Sequence, residues 1–366
     1  MAKANEKLNR IHIALLIYMI ELDVTVFALP RLVAKNIGTN GWVGLLALTC
    51  VACFNIWLFQ IVYRMGKGQS FFQIVEAVVP KWCAYPFYLV LTVFWIAIGS
   101  FIGKDFILIF QTLTFQSSSS MMIFSLYCLM VYVLLVKDIY SILKAVTLFF
   151  LMTASVNLLA PFFFQDWKLI RFTTSLFQGT EGGHTLHGWT EVYTVFVGYE
   201  LCLFLFPYVD KKSKLFQGMY TGQLLIGLVQ QLAVWVSFGF FSFPELKVLA
   251  YPVIHTLEYI EFPFINRVEN LVFPFFLFSN LVSTVLFAFA GLSCLKQMFP
   301  QARPKLLELF IVIAIFGLGY IPKLLREAEA LVFHSFFVEI GVAFVLPLLL
   351  MVLLQIGKLR KKGVKA

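Results

Sequence analysis

Apolar runs alternate with short polar stretches along the whole chain. Each of the ten runs is long enough to cross the roughly 30 Å of a bilayer's hydrocarbon core, which takes about 17–25 helical residues. They lie at about 10–33, 41–63, 84–111, 121–136, 141–164, 187–207, 216–239, 268–295, 306–325 and 331–356. The pattern predicts an all-α polytopic membrane protein with ten transmembrane helices. The longest polar connections, about 165–186 and 240–267, are too short for a soluble domain, so we expect residues 1–366 to form a single integral membrane domain.

Composition agrees with this class of protein. Hydrophobic residues make up 61% of the chain and charged residues 13%, whereas soluble domains have about 45–50% and about 25%. The net charge of +9 would suit a nucleic-acid partner, but the cations cluster in short loops. We therefore expect the protein to lie in a lipid bilayer and to bind no nucleic acid.

Lysine and arginine also predict the orientation. If the N-terminus is cytoplasmic, 19 of the 28 cations fall on that side, as the positive-inside rule requires. Both termini are then cytoplasmic, which needs an even number of spans. Five spans precede the 165–186 connection and five follow it, so the second half runs opposite to the first. This is the condition for an inverted repeat, with halves at about 10–164 and 187–356.

A carboxylate interrupts the sixth apolar run. Glu200 lies near the middle of this run, where a charge costs about 2.5–3.5 kcal/mol on insertion scales. Gly198 weakens the helix two residues earlier, and Pro207 marks its end. We expect Glu200 to face a cavity or a partner, or to be protonated.

The first run carries a similar interruption. The ten residues from Glu21 align without gaps to the ten from Gly198, which places Asp23 on Glu200. Paired interrupted helices at corresponding places of two halves indicate a transporter-type binding site. We therefore expect Asp23 and Glu200 to approach each other at the midplane.

These residues suit recognition of a zwitterion. Glu21 and Thr25 share a helix face, whereas Asp23 points elsewhere, so either the helix is unwound or one acid meets a neighbouring helix. A half-helix N-terminus favours a carboxylate, and unwound carbonyls beside an acid favour an ammonium group. The alternative is that the acids only fix packing. The predicted ligand-binding residues are Glu21, Asp23, Thr25, Gly198, Tyr199 and Glu200.

Other polar residues have simpler interpretations. We expect Lys104 and Asp105 to extend toward the outer membrane interface, Asn157 to form an interhelical hydrogen bond, and Glu339 to be solvated at the interface. No phosphate loop, nucleophile elbow or zinc motif is present. The sequence therefore predicts neither an enzyme nor a metal or cofactor site.

The segment before the eighth run carries an unusual pattern of aromatic, proline and charged residues. It comprises Tyr251, Pro252, Phe262, Pro263, Phe264, Ile265, Arg267 and Glu269. With Gly198-Tyr-Glu and Asn40-Gly-Trp, it resembles the B subunits of spore germinant receptors, the endospore germination permeases. These belong to the amino acid–polyamine–organocation transporter superfamily.

The resemblance implies a five-plus-five inverted repeat with interrupted first and sixth helices and a site between the first, third, sixth and eighth. It implies an amino-acid or similar nutrient germinant. The implied partners are an A-type and a C-type receptor subunit, in the cell membrane or the inner spore membrane.

Two departures from the superfamily pattern bear on mechanism. The stretch 21–25 lacks the glycines that break the first helix in many members. In the fifth helix, Lys144 lies near the cytoplasmic start, whereas related proton-coupled permeases place a lysine opposite the first helix. This favours a ligand sensor over proton-driven uptake. A free-standing secondary amino-acid transporter and a structural subunit with a vestigial pocket stay open as alternatives.

Overall fold

The structure is a computed structural model that describes residues 8–114, 117–209, 213–260 and 268–363. All regular structure in these ranges is helical. The α-helices are α1 Arg10–Glu21, α2 Thr25–Asn36, α3 Trp42–Met65, α4 Phe71–Glu76, α5 Lys81–Leu113, α6 Ser120–Leu135, α7 Ile139–Ser155, α8 Leu186–Tyr193, α9 Leu215–Phe240, α10 Phe243–Val248, α11 Pro252–Glu258, α12 Glu269–Met298, α13 Pro304–Leu318 and α14 Leu325–Gly363. Between them, 3-10 segments lie at Val156–Gln165, Leu169–Phe172, Thr194–Phe196 and Tyr199–Tyr208.

Seven helical stretches in the described ranges are long and apolar enough to cross a membrane, and α1 with α2, bent by 65°, would make an eighth. This confirms an all-α polytopic membrane protein. The two other predicted spans coincide with α6 and α13, which have 16 and 15 residues. At about 1.5 Å per residue they fall short of a 30 Å hydrocarbon core. Ten spans, the inverted repeat and the division into halves therefore stay predictions.

Helix α1 lies at the centre of the bundle. All its residues from Ile13 to Glu21 are buried, as expected of a helix that is apolar on every side. Helix α9 packs closely against it through two glycines. A Cβ on Gly222 would lie 2.4 Å from the Ala14 carbonyl oxygen, and one on Gly218 would lie 2.7 Å from that of Arg10. Small residues thus let the two backbones approach, as is common between membrane helices.

Helices α5 and α12 pack along each other beside this pair. The hydroxyl of Thr284 donates to the carbonyl of Gly99 at 3.0 Å, and that of Thr92 donates to Gly291 at 3.4 Å. Asn157 donates to the Tyr18 hydroxyl at 3.4 Å, which confirms the interhelical bond expected of it.

The two faces of the bundle are defined by the first helix pair. We call the face where α1 begins the N-terminal face and the face where α2 ends the distal face. The connection between α7 and α8 folds over the distal face, where Arg171 donates to the Gly239 carbonyl at 2.8 Å. Most of the proline-rich motif before α12, residues 261–267, lies outside the described residues.

Candidate functional site

The first helix pair is broken without a glycine. Helix α1 ends at Glu21 and α2 begins at Thr25. Asp23 stabilises the new helix start, since its Oδ1 accepts the Thr25 backbone N–H at 2.9 Å and also the Thr25 hydroxyl. Both alternatives left open above occur, because the helix is interrupted at 22–24 and Glu21 also meets Gln223 of the neighbouring helix α9.

Side chains from α12 satisfy the carbonyls that this break releases. Ser279 donates to the carbonyl of Met19 at 3.1 Å and contacts that of Leu22, and Ser283 donates to that of Ile20 at 2.9 Å. Without such partners each carbonyl would be left unpaired in a region without water. Neither serine was predicted, because serines are common in membrane helices and nothing in their spacing identifies a partner.

Helix α9 contributes two glutamines to the same break. Gln223 donates to Glu21 Oε2 at 2.9 Å, and Gln230 donates to the Val195 carbonyl at 2.9 Å and to that of Glu21 at 3.5 Å. Glu21 is only 1% exposed, and its Oε1 has no hydrogen-bond partner within the described ranges. Gln230 thus joins the first break to the second, which begins at Val197.

The second break is centred on Gly198. Val197 is extended, and Gly198 has φ +125° and ψ −26°, a conformation that favours glycine. The Gly198 N–H donates to Glu200 Oε2 at 2.9 Å. A Cβ on Gly198 would lie 1.8 Å from Cγ2 of Ile20, so the two breaks meet with no room for a side chain.

Glu200 lies near a carboxyl group of the last helix. It lies within electrostatic range of Glu339, whose Oε1 accepts the indole N–H of Trp95 at 3.0 Å. Glu200 Oε1 and Glu339 Oε2 have no donor among the described residues. Two neighbouring buried carboxyl groups disfavour ionisation of both, and a proton held by one of them would let the pair hydrogen-bond. The expectation that Glu339 is solvated at the interface was wrong, because Glu339 is fully buried.

The six predicted site residues come together only in part. Glu21 lies within electrostatic range of both Glu200 and Asp23, and the Tyr199 hydroxyl hydrogen-bonds to Tyr193 at 2.9 Å. Asp23 and Thr25 lie on the distal side of the break. Glu21, Asp23, Tyr199 and Glu200 are at most 4% exposed, so the structure shows this centre closed.

Open space lies on either side of the centre. On the distal face, a cavity of about 310 Å³ reaches the break at Val24 and Thr25. We call it the distal cavity. A second cavity of about 510 Å³ opens on the N-terminal face, beside Pro207 at the end of the second broken helix. Glu21, Gly198, Tyr199 and Glu200 line neither.

Comparison with known proteins decides the family. The family model for the spore permeases, described as spore germination protein, matches residues 7–324. The chain belongs to this family. No curated protein matches it.

In this spore germination protein, the family match covers both breaks and all six predicted residues. It includes all the helices from α1 to α13. The assignment agrees with the resemblance drawn from the sequence, and the family is one of transporter-like and receptor-like membrane proteins and not of enzymes.

Two further charged residues of this germination protein were placed wrongly. Lys104 and Asp105 were expected at the membrane interface, but they are only 1% and 4% exposed. Lys104 donates to Ser120 Oγ at 3.1 Å and lies 5.6 Å from the ring centre of Phe124. Asp105 lines the distal cavity. Adjacent residues on a helix point about 100° apart, so the same stretch buries one charge against α6 and directs the other to the cavity.

Proposed function

We propose that this protein is the nutrient-sensing membrane subunit of a spore germination receptor, with an amino acid or similar small molecule as ligand. The ligand binds at the midplane between the first and sixth predicted spans. One observation carries the proposal: two discontinuous helices meet there, at Ile20 and Gly198, next to two buried carboxyl groups.

The polar groups at this centre suit a zwitterion. Glu21 Oε1 lacks a hydrogen-bond donor among the described residues and can accept from a ligand ammonium group. The N-terminus of α2 carries partial positive charge suited to a carboxylate. Asp23 and Thr25 now occupy that helix start, so a bound carboxylate would take the place of the Asp23 side chain.

Sensing follows if the ligand prefers an open form of this centre. The described state is closed, since Gly198 touches Ile20 and Glu200 lines neither the distal cavity nor the cavity beside Pro207. A ligand shifts the balance between two conformations only by its difference in affinity for them. Separation of Ile20 from Gly198 would transmit binding to α9 and α14, which hold the two acids. Partner subunits of the A and C type would respond to this movement.

The test replaces Glu200 by glutamine in the intact spore. A glutamine carbonyl still accepts from Gly198 and its amide can donate to Glu339, so the fold is retained while the charge and the exchangeable proton are lost. We expect the germinant concentration for half-maximal response to rise at least ten-fold, which is about 1.4 kcal/mol, at unchanged abundance in the membrane. Glu181→Gln is the control, because Glu181 is exposed and pairs with Lys35 on the distal face. An unaltered dose–response in Glu200→Gln spores would refute the midplane site.

A secondary amino-acid transporter is the second candidate. The two cavities on opposite sides of Glu200 favour it, since alternating access needs a route to each face. Against it, the Lys144 side chain is exposed with its ammonium 4.4 Å from the ring centre of Tyr140, and so does not reach the break. Uptake of an amino-acid panel into vesicles that contain this protein alone, with and without a pH gradient, separates the two. Gradient-driven accumulation would favour transport.

A further inference from the structure

The distal cavity is lined by a carboxylate with one buried oxygen that no described residue pairs. Three acidic side chains line this cavity: Glu191, Glu329 and Asp105. Glu191 accepts from the Asn36 amide at 3.0 Å, and Glu329 accepts from the Tyr251 hydroxyl. Asp105 is 4% exposed, and its buried Oδ1 has no hydrogen-bond donor in the described parts of the chain.

An unpartnered buried carboxylate is costly. Removing an acid from water without a compensating donor disfavours its charged form strongly, so such groups are normally paired. Asp23 and Glu329 add negative charge within electrostatic range of Asp105. The part of the cavity around Asp105 therefore favours a group that is positively charged and donates hydrogen bonds.

The opposite charge lies on the same cavity wall. Arg31 of α2 also lines the cavity and is half-buried, and its buried Nε has no acceptor within the described ranges. A guanidinium group binds a carboxylate through two parallel hydrogen bonds. Arg326 lies at the exposed rim. One cavity thus presents an acid and a guanidinium group, each with a buried atom that has no partner among the described residues.

The remaining lining limits the size and polarity of the occupant. Val24, Ile109, Phe333 and Phe336 supply apolar surface between the charged groups. The volume of about 310 Å³ is at the small end of the roughly 300–1,000 Å³ of known ligand pockets. A small molecule with one apolar side chain fits this description.

We propose that the distal cavity is a second binding subsite for α-amino acids, in which Asp105 receives the ammonium group and Arg31 the carboxylate. This inference rests on the proposed role in amino-acid sensing and adds a site that is separate from the midplane centre. Because the cavity ends at Val24 and Thr25, a ligand held there lies at the entrance to the first break.

The experiment pairs changes in the ligand with changes in the protein. The purified full chain in lipid nanodiscs is first tested against the twenty L-amino acids by calorimetry. The tightest binder is then compared with its methyl ester, which lacks the carboxylate charge, and with its 2-hydroxy acid, which lacks the ammonium group. Each analogue should bind roughly ten- to a hundred-fold more weakly, the usual cost of one hydrogen-bonded charge.

The protein variants identify which residue binds the ammonium group and which binds the carboxylate. Asp105→Asn should lose the preference for the amino acid over the hydroxy acid and keep the preference over the ester. Arg31→Gln should lose the preference for the amino acid over the ester and keep the preference over the hydroxy acid. Lys35→Gln and Glu181→Gln are matched controls, since both residues are on the distal face, outside the cavity and paired with each other at 3.3 Å. Both should leave all three affinities unchanged. If Asp105→Asn fails to fold, the Arg31→Gln variant and the analogues on the unaltered protein still test the assignment.

The possible failures are distinguishable. If Glu200→Gln weakens amino-acid binding while Asp105→Asn and Arg31→Gln do not, the midplane site stands and the distal subsite is wrong. Loss of discrimination in the distal variants with no effect of Glu200→Gln would overturn the midplane site instead. Equal binding of the amino acid and its ester would show that the carboxylate is not recognised, and would contradict the role of Arg31. Absence of binding by all twenty amino acids would contradict both proposals.

Discussion

The two interrupted helices of this spore germination protein are stabilised by different means. At the second break, the chain itself supplies what is needed, because Gly198 adopts φ +125° and the acid two residues later accepts its N–H. At the first break, α1 ends without a glycine, and the released carbonyls are satisfied by Ser279 and Ser283 of α12. A membrane helix can therefore be interrupted by local backbone freedom or by polar side chains from its neighbours. Only the first kind is visible in the local sequence.

The largest expected effect is at the glycine. Gly198→Ala places a Cβ 1.8 Å from Ile20 Cγ2 at a positive φ. Backbone strain of about 1–3 kcal/mol and a similar cost of overpacking should together lower the free energy of unfolding by up to about 6 kcal/mol. Thermal unfolding of the purified protein measures this.

Two further variants separate the causes. Adding Ile20→Ala removes the clash and should recover part of the loss, while the strain of the positive φ is retained. Gly317→Ala is the control, because a Cβ there meets nothing within 4 Å, and it should cost nothing. Equal unfolding temperatures for Gly198→Ala and Gly317→Ala would show that the second break does not depend on its glycine.

The next variant tests whether the second break also depends on a side chain from another helix. Glu339→Ala removes the carboxyl group beside Glu200 and the acceptor of the Trp95 indole N–H. Two buried polar groups left unpaired cost about 2–6 kcal/mol together. Glu339→Gln can still donate to Glu200 and accept from Trp95, so it should lose much less, and the same melting measurement compares them. If both variants are equally destabilised, a hydrogen bond between the two carboxyl groups does not stabilise the break.

A smaller effect is expected from each serine at the first break. Ser279→Ala and Ser283→Ala each leave a carbonyl of the broken helix without its donor, at about 1–3 kcal/mol. Ser293→Ala on the same helix is the matched control, since its hydroxyl bonds only to the Phe289 carbonyl of its own helix among the described residues, and it should change stability by less than about 0.5 kcal/mol. No difference between the three alanine variants in thermal unfolding would mean that α12 does not support the break.

The smallest effect is expected where α1 is an intact helix. Asn157→Leu removes a 3.4 Å hydrogen bond to Tyr18, in a stretch whose carbonyls keep their helical partners. Interhelical bonds of this kind average about 0.6 kcal/mol. A melting temperature within a few degrees of the unaltered protein is expected. A loss as large as that of the serine variants would show that polar contacts along α1 matter equally at and away from the break.

The sequence by itself determined the class of protein, the apolar segments and the acids within two of them, and its glycine indicated the interruption of the sixth run. Those properties depend on local composition: length sets which segments can cross a bilayer, a buried acid is conspicuous in an apolar run, and a glycine permits an unusual backbone. The family resemblance, supported by the match over residues 7–324, also came from the sequence.

Only the tertiary structure decided which groups pair. Ser283 lies 263 positions from the carbonyl it satisfies, and Glu339 lies 244 positions from Trp95. The burial of Lys104 and Asp105 likewise depends on which helices lie beside α5. A residue's own neighbours in the chain fix its conformational preferences, but its partner in a lipid environment is fixed by packing between distant segments. For this reason the sequence singled out Glu21, Asp23 and Glu200 as candidates, but did not identify the residues that contact them.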